Sequence, residues 1–261
     1  MIGWVGRRTI GSALYATDLT YFIVQALRQV RRRYQADNAA TSRALYAQII
    51  FSGVDALPIV VLLALAVGVS ITMQILVLGE ALGTTSDVIH LLAQIVGMEL
   101  GSLLTAILLI GRSGSAIAVD LGNMKLHGEV EALELLGIDV MDFFVAPRVL
   151  GAAIAQLVLA TVFACVALFG GVVMAGLLLS SGYLAYLQPL AQSIAPGTIL
   201  AYAGKNLLFG LIVAGTACFH AMRVGRSPTE VPQQTQRAIA SSLVLVFVLD
   251  GLFALTQGLG L

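Results

Sequence analysis

Residues 108–139 read LLIGRSGSAIAVDLGNMKLHGEVEALELLGID, a stretch that starts as apolar helix and turns at Gly111 into a Gly- and Ser-studded, then acid-rich, segment. The chain on either side is nearly free of charge. Of its 261 residues, 59% are hydrophobic and only 11% charged, with a mean hydropathy of +0.96. A soluble domain carries about a quarter charged residues. A bilayer-spanning helix needs about 20 mostly apolar residues, and several runs here qualify. The polar stretch is therefore a loop between membrane segments, and the chain is expected to be an all-α polytopic membrane protein. Its net charge of zero gives no sign of a nucleic-acid partner.

Working outward from the island gives five expected spans. The first covers 54–78, with Asp55 and Pro58 near its start, and the second covers 88–110 and holds Glu99. The third, 149–179, has no charge and is long enough to tilt or to project from the bilayer. The fourth covers 198–222, with Lys205 near its start, and the fifth covers 238–257 and holds Asp250. Residues 1–45 mix Trp4, Ile10, Leu14, Tyr21, Phe22, Leu27 and Val30 with arginines, which suits a helix lying in the interface. A short cytosolic helix is the alternative. The expected division is thus an N-terminal interfacial region, 1–45, and a five-span domain, 46–261, with a cytoplasmic segment at 111–147. Thr17, Asp18 and Thr20 interrupt any apolar run after Arg7 and Arg8, so the N-terminus is expected to be retained.

Basic residues set the orientation. Every Lys and Arg but Lys205 falls before the first span, in the island and its flanks (Arg112, Lys125, Arg148), or between spans four and five (Arg223, Arg226, Arg237). The segments on the opposite face, 79–87, 180–197 and 258–261, have none. The positive-inside rule then puts the N-terminus and the island in the cytoplasm and the C-terminus outside. Lys205 is expected to snorkel to the outer interface.

Within the island, Gly111, Arg112, Ser113 and Gly114 mark the membrane boundary. Small residues there let backbones approach, and Arg112 can bond helix-end carbonyls. Val130, Leu133 and Leu136 alternate with Glu129, Glu131 and Glu134 at helical spacing, a short amphipathic helix closed by Gly137. Asp139 and Asp142 follow, and Pro147-Arg148 leads into span three. Spacing alone leaves two roles open for this helix, docking a partner or packing on its own bundle.

The runs GRSGSAIAVDLGNM, EALELLGID and APR resemble the signature region of the MlaE (YrbE) permease family, membrane subunits of ABC-type lipid transporters that work with MCE-domain proteins. LYAQIIFSGVDALPIVVLLALAVGVSITMQ, MELGSLLTAILLIGR and TQRAIASSLVLVFVLDGLFAL are similar to the family's first, second and last spans. The resemblance implies an N-terminal interfacial helix, five transmembrane helices and a cytoplasmic coupling helix between spans two and three. It also implies a homodimer, a cytosolic ABC ATPase holding ATP and Mg, a periplasmic MCE ring, phospholipid as cargo, and residence in a bacterial inner membrane. Glu129, Glu131, Leu133, Glu134, Leu136 and Gly137 would then dock the ATPase, while Gly111, Arg112, Ser113, Gly114, Asp120, Pro147 and Arg148 form the structural motif. Departures from the family pattern include Met98 and Ser102 around Glu99-Leu100-Gly101, Asp120 where Glu is usual, and a loosely matched 226–229 loop.

No chemistry of its own is expected in this chain. Gly204-Lys205-Asn206 lacks the spacing and the hydroxyl of a phosphate-binding loop. His90, His127 and His220 lie apart, without ligand partners at helical spacing. Cys165 and Cys218 sit in apolar runs as small core residues. Intramembrane charges are costly and face a bundle interior or a wet cavity. Glu99 points away from the small-residue strip Gly97/Gly101; the resemblance implies that it borders a lipid cavity, as the family's matching Glu does, and Met98, Lys205 and Asp250 are assigned to the same substrate cavity. An interhelical hydrogen bond is the structural reading of Asp250, and Lys205 is a candidate headgroup partner, since Met98 offers no charge. Tyr183, Tyr186 and Gln188 are expected interfacial anchors. The alternative functions are an autonomous secondary transporter of a hydrophobic substrate, disfavoured by the lack of paired interrupted spans, and an intramembrane enzyme, for which no catalytic cluster exists.

Overall fold

The computed structural model describes residues 14–29, 39–82, 93–178 and 196–258, and among them every regular element is helical. In chain order these are α1 (14–29), α2 (Ala39–Ser52), a 3-10 turn Val54–Ala56, α3 (Leu57–Leu82), a π-helical stretch Ala93–Leu100, α4 (Gly101–Leu109), a second π stretch Ile110–Gly114, α5 (Ser115–Leu126), α6 (Glu129–Leu135), a third π stretch Met141–Val145, α7 (Ala146–Leu178), α8 (Pro196–Ala221) and α9 (Glu230–Gly258). Among the described residues five helical runs are long and apolar enough to cross a membrane: Arg43–Gln74, Val96–Leu126, Met141–Met174, Gly197–Ala221 and Glu230–Thr256. Tyr183, Tyr186, Gln188, His90 and the N-terminal Trp4, Arg7, Arg8, Ile10, Val30, Arg31, Arg32 and Arg33 lie outside the described residues.

Pro196 and Pro232 fall in the first turn of α8 and α9, where a missing N–H costs no ladder bond, while Pro58 and Pro147 follow directly on the 3-10 turn Val54–Ala56 and the π stretch Met141–Val145, where the helical ladder is already irregular. Span one starts earlier than expected, because α2 feeds α3 through Gly53 and the single 3-10 turn Val54–Ala56. Span two ends later: the helix runs past Ile110 through the π stretch and on to Leu126, since the Gly/Ser pattern that looked like a loop is accommodated by one widened turn. Much of the polar island is thus a helical extension of span two.

The central helix is α7. It packs against α3, α8 and α2, and lends Leu159, Phe163 and Ala167 to a core with Val60, Ala64, Ala106, Leu109, Phe209 and Val213. Contacts this close need absent side chains. A Cβ on Gly68 would lie 2.5 Å from the Ala167 Cα, and one on Gly210 would lie 2.5 Å from the Ala153 Cα. A second cluster sits toward the basic end and joins Ala26 of α1 to Ile117, Leu121, Val149, Ala217 and Cys218. Cys218 is buried, but Cys165 is exposed on the outside of α7, contrary to its expected core position. Leu62, Phe169, Val244, Phe247 and Leu255 form an outward apolar surface, which a bilayer can cover.

At the basic end, α1 lies against the last turn of α8. Tyr15 OH is 3.0 Å from His220 Nε2, whose Nδ1 is 3.1 Å from Gln234 Oε1 of α9. Phe22 and Tyr15 meet Phe219 edge-on, and Arg223 stacks over the same ring at 3.9 Å.

Candidate functional site

Two features stand out, one at each end of the bundle. The first is a trio of ions that span two, four and five bring together in an apolar interior. Lys205 Nζ lies 2.6 Å from Glu99 Oε2 and 2.6 Å from Asp250 Oδ1. The lysine side chain is only 2% exposed, with Glu99 at 24% and Asp250 at 13%. A desolvated ammonium is tolerable only with such partners, so Lys205 turns inward to the carboxylates instead of snorkelling to the interface. This ammonium, the candidate headgroup partner, donates to Glu99 Oε2 and lies beside Asp250 Oδ1. Asp250 joins span five to span four through this 2.6 Å contact with Lys205, where an interhelical hydrogen bond was expected of it. The Lys205 ammonium also faces the Phe209 ring at 5.7 Å.

Glu99 stands on the π-helical stretch, the irregular geometry that recurs at functional sites. Gly97 and Gly101 face Leu168 and Phe163 of α7, while Glu99 faces α8 and α9. Met98 contributes its carbonyl, which accepts from Ser102 Oγ at 2.9 Å. One turn from the ions lies a buried amide–hydroxyl cluster that spacing did not single out. Asn206 Nδ2 donates to Ser102 Oγ at 3.0 Å and to the Tyr202 carbonyl at 3.0 Å. Gln156 of α7 donates to Thr105 Oγ1 at 3.0 Å, to the Ser102 carbonyl at 3.2 Å and to Asn206 Oδ1 at 3.3 Å. The available signal was Gln156 itself, an amide in a helix that is otherwise almost wholly apolar after Arg148.

The second feature is α6, at the basic end. Two left-handed glycines bracket it, Gly128 at φ 76° and Gly137 at φ 77°. Gly137 closes it with paired bonds, its own N–H to the Glu134 carbonyl and the Ile138 N–H to the Leu133 carbonyl, each 3.0 Å. Val130 is buried against the bundle, and Lys125 pairs with Glu131, holding that carboxyl below its usual 4.5. The expected apolar face does not all turn inward. The helix stops at Leu135, so Leu136 swings out at 75% exposure, beside Leu135 at 89%. Leu135 was missed because it falls outside the amphipathic repeat. Glu129, Glu131, Glu134 and Gly137 are exposed around this pair, with Leu133 half-buried. Gln29 of α1 donates to Asp139 Oδ2 at 2.8 Å and braces the loop behind it.

The remaining motif residues knit the spans together. Arg112 Nη1 donates to the Phe51 carbonyl at 2.7 Å, capping α2, and its other nitrogen is 3.6 Å from Asp55. Arg148 pairs with Asp120 at 2.6 Å, joining the start of α7 to α5. Ser113 and Gly114 are buried, Gly114 beside Val213, while Gly111 meets nothing. Phe51, Asp120, Pro147 and Arg148 line an open groove of about 440 Å³, at the opposite end of the bundle from the ion trio. Among the described residues no cluster of His, Cys, Asp and Glu could hold a metal.

Residues 45–256 match the family model of the permease MlaE. A probable ABC transporter permease protein of Synechocystis is 27% identical over 75% of this chain and 74% of its own. Another, from Rickettsia conorii, is 23% identical over 94% of this chain and 92% of its own. The intermembrane phospholipid transport system permease protein MlaE of Haemophilus influenzae is 31% identical over 46% of each chain.

Proposed function

This chain belongs to the MlaE permease family, and from that premise we propose that it is the membrane subunit of an ABC transporter moving phospholipid between the inner membrane and a periplasmic MCE protein. A separate cytosolic ATPase, binding ATP and Mg, drives it, and two copies of this chain form the pore. The relatives' names support the transport class, and the Haemophilus relative's name supports phospholipid as cargo.

The observation that carries the reading is the geometry of α6. A helix held by two left-handed glycines, braced by buried Val130 and presenting Leu135 and Leu136 beside an acidic rim, suits insertion into a groove of a partner. Span two then carries the motion. The helix from Glu99 to Leu126 is continuous, and at 1.5 Å per residue it rises about 40 Å. A stroke delivered to α6 at one end therefore shifts Glu99 against Lys205 and Asp250 at the other. The π stretches at Ile110–Gly114 and Ala93–Leu100 are the compliant points of that rod. Glu99, the most exposed member of the trio, borders the lipid path, and breaking or remaking its pair with Lys205 opens or closes it. With the basic end in the cytoplasm, the trio lies in the outer half of the bilayer.

The test is transport of labelled phospholipid by the complex reconstituted with its ATPase and MCE protein. Glu99→Ala is expected to assemble and to lose transport, and wild-type transport would refute the cavity role. Transport by the isolated chain in liposomes, without ATPase, would favour a secondary transporter instead.

A further inference from the structure

We propose that Gln156 is a positioning residue for the ion trio: its carboxamide fixes the register of span four against span two and thereby holds Lys205 between Glu99 and Asp250. The inference comes from how few links join these helices in an apolar interior, and from where they fall. Among the described residues, span two and span four share two side-chain cross-links within hydrogen-bond distance. One is the ion pair of Lys205 with Glu99. The other is the bond from Asn206 Nδ2 to Ser102 Oγ. Asn206 adjoins Lys205 in sequence, and Ser102 lies one turn beyond Glu99, so the two links are adjacent rungs between the same two helices.

Gln156 clamps the second rung from a third helix. Its Nε2 reaches one acceptor on span four, Asn206 Oδ1, and two on span two, the Ser102 carbonyl and Thr105 Oγ1. Gln156, Asn206 and Ser102 are fully buried, and Thr105 nearly so. Water therefore does not compete for these bonds, and a missing partner leaves an unpaired group in a dry core. The clamp also orients the Asn206 amide. With Oδ1 facing the Gln156 donor, Nδ2 must point to Ser102 and to the Tyr202 carbonyl, which is its observed arrangement. Removing the Gln156 donor frees that amide to rotate and the span-four register to slip. Lys205, the adjoining residue, then leaves a site that tolerates its charge only through the carboxylates beside it.

The trio itself does not depend on the transport reading, although the consequence for lipid handling does. The experiment therefore reads Lys205 directly. The chain has two lysines, Lys125 and Lys205, so acylation by a membrane-permeant amine reagent, mapped by mass spectrometry, reports on one buried and one surface ammonium. The full-length protein is labelled in its membrane. Gln156→Met keeps the side-chain length and removes the donor. It is expected to raise Lys205 acylation relative to Lys125 by about five-fold or more. Leu159→Ala, a core truncation on the same helix, serves as a control chosen to lower the melting temperature at least as much, and it should leave that ratio within about two-fold of wild type. Equal ratios in Gln156→Met and wild type, or an equal rise in both variants, would overturn the proposal. Should Gln156→Met not reach the membrane folded, Ser102→Ala cuts the Asn206 rung with a small side chain and must raise the ratio in the same way. Wild-type transport by Glu99→Ala would sink the lipid-path reading without moving this measurement.

Discussion

Replacing Lys205 by methionine isolates what the buried ammonium does. Methionine keeps an unbranched apolar stem of similar reach, so packing against Phe209 survives while the charge goes. Glu99 and Asp250, each 2.6 Å from the lost nitrogen, are left facing one another without a cation. Removing one partner of a buried ion pair costs about 3–5 kcal/mol. The 24% exposure of Glu99 lets water screen part of that repulsion, which argues for the lower end, about 3 kcal/mol. In a chain of this size each kcal/mol moves the melting temperature by about 2–4 °C, so a drop of about 6–12 °C is expected. The assay is loss of helical circular dichroism on heating the protein in detergent. The triple variant Glu99→Gln, Lys205→Met, Asp250→Asn supplies the control: with no buried charge left, it should recover most of the loss. A single variant melting within about 2 °C of wild type, or a triple variant melting as low as the single, would refute the view that charge compensation holds these three helices together.

Other outcomes follow from the packing and from α6. Gly68→Ala and Gly210→Ala each push a Cβ to 2.5 Å from a neighbouring helix's backbone, and each should cost about 1–3 kcal/mol in the same melt. Gly111→Ala meets nothing within 4 Å and should be neutral there. Leu135→Ser, at an 89% exposed position, should melt like wild type yet bind the ATPase about ten-fold or more weakly in a pull-down titration; unchanged binding would remove Leu135 from the docking surface. Lys125 lowers the Glu131 carboxyl below its usual 4.5, so the pair supports α6 above that pH and its support is lost as pH falls through the folded value. Hydrogen exchange across 129–135, corrected for intrinsic rate, should therefore rise relative to the bundle in acid, and Lys125→Gln should weaken that dependence, leaving the part due to the backbone N–H bond of Glu131 and to Arg226.

The sequence by itself determined the class, the five spans and the basic end, because these depend on quantities local to the chain. A run of about 20 apolar residues spans a bilayer whatever its neighbours do, and arginines sort the loops without any contact being formed. The glycine that closes α6 was legible for the same reason, since Gly137 at φ 77° answers a local demand of the backbone. Glu99, Lys205 and Asp250 could each be marked as costly, but their union could not be read. They lie 106 and 45 positions from one another along the chain, and only the packing of span four between two and five turns three separate liabilities into one compensated group. Lys205 shows this most plainly: near a span end, snorkelling is the local answer, and the nearby carboxylates of two other helices overrule it. The same holds for Gln156, Ser102 and Asn206, whose roles exist only as distances between helices, and for Leu135, whose exposure follows from where Gly137 stops the helix and which side Val130 buries. Periodicity describes one helix against an unspecified core, whereas a polar network inside a bundle is a property of several helices at once.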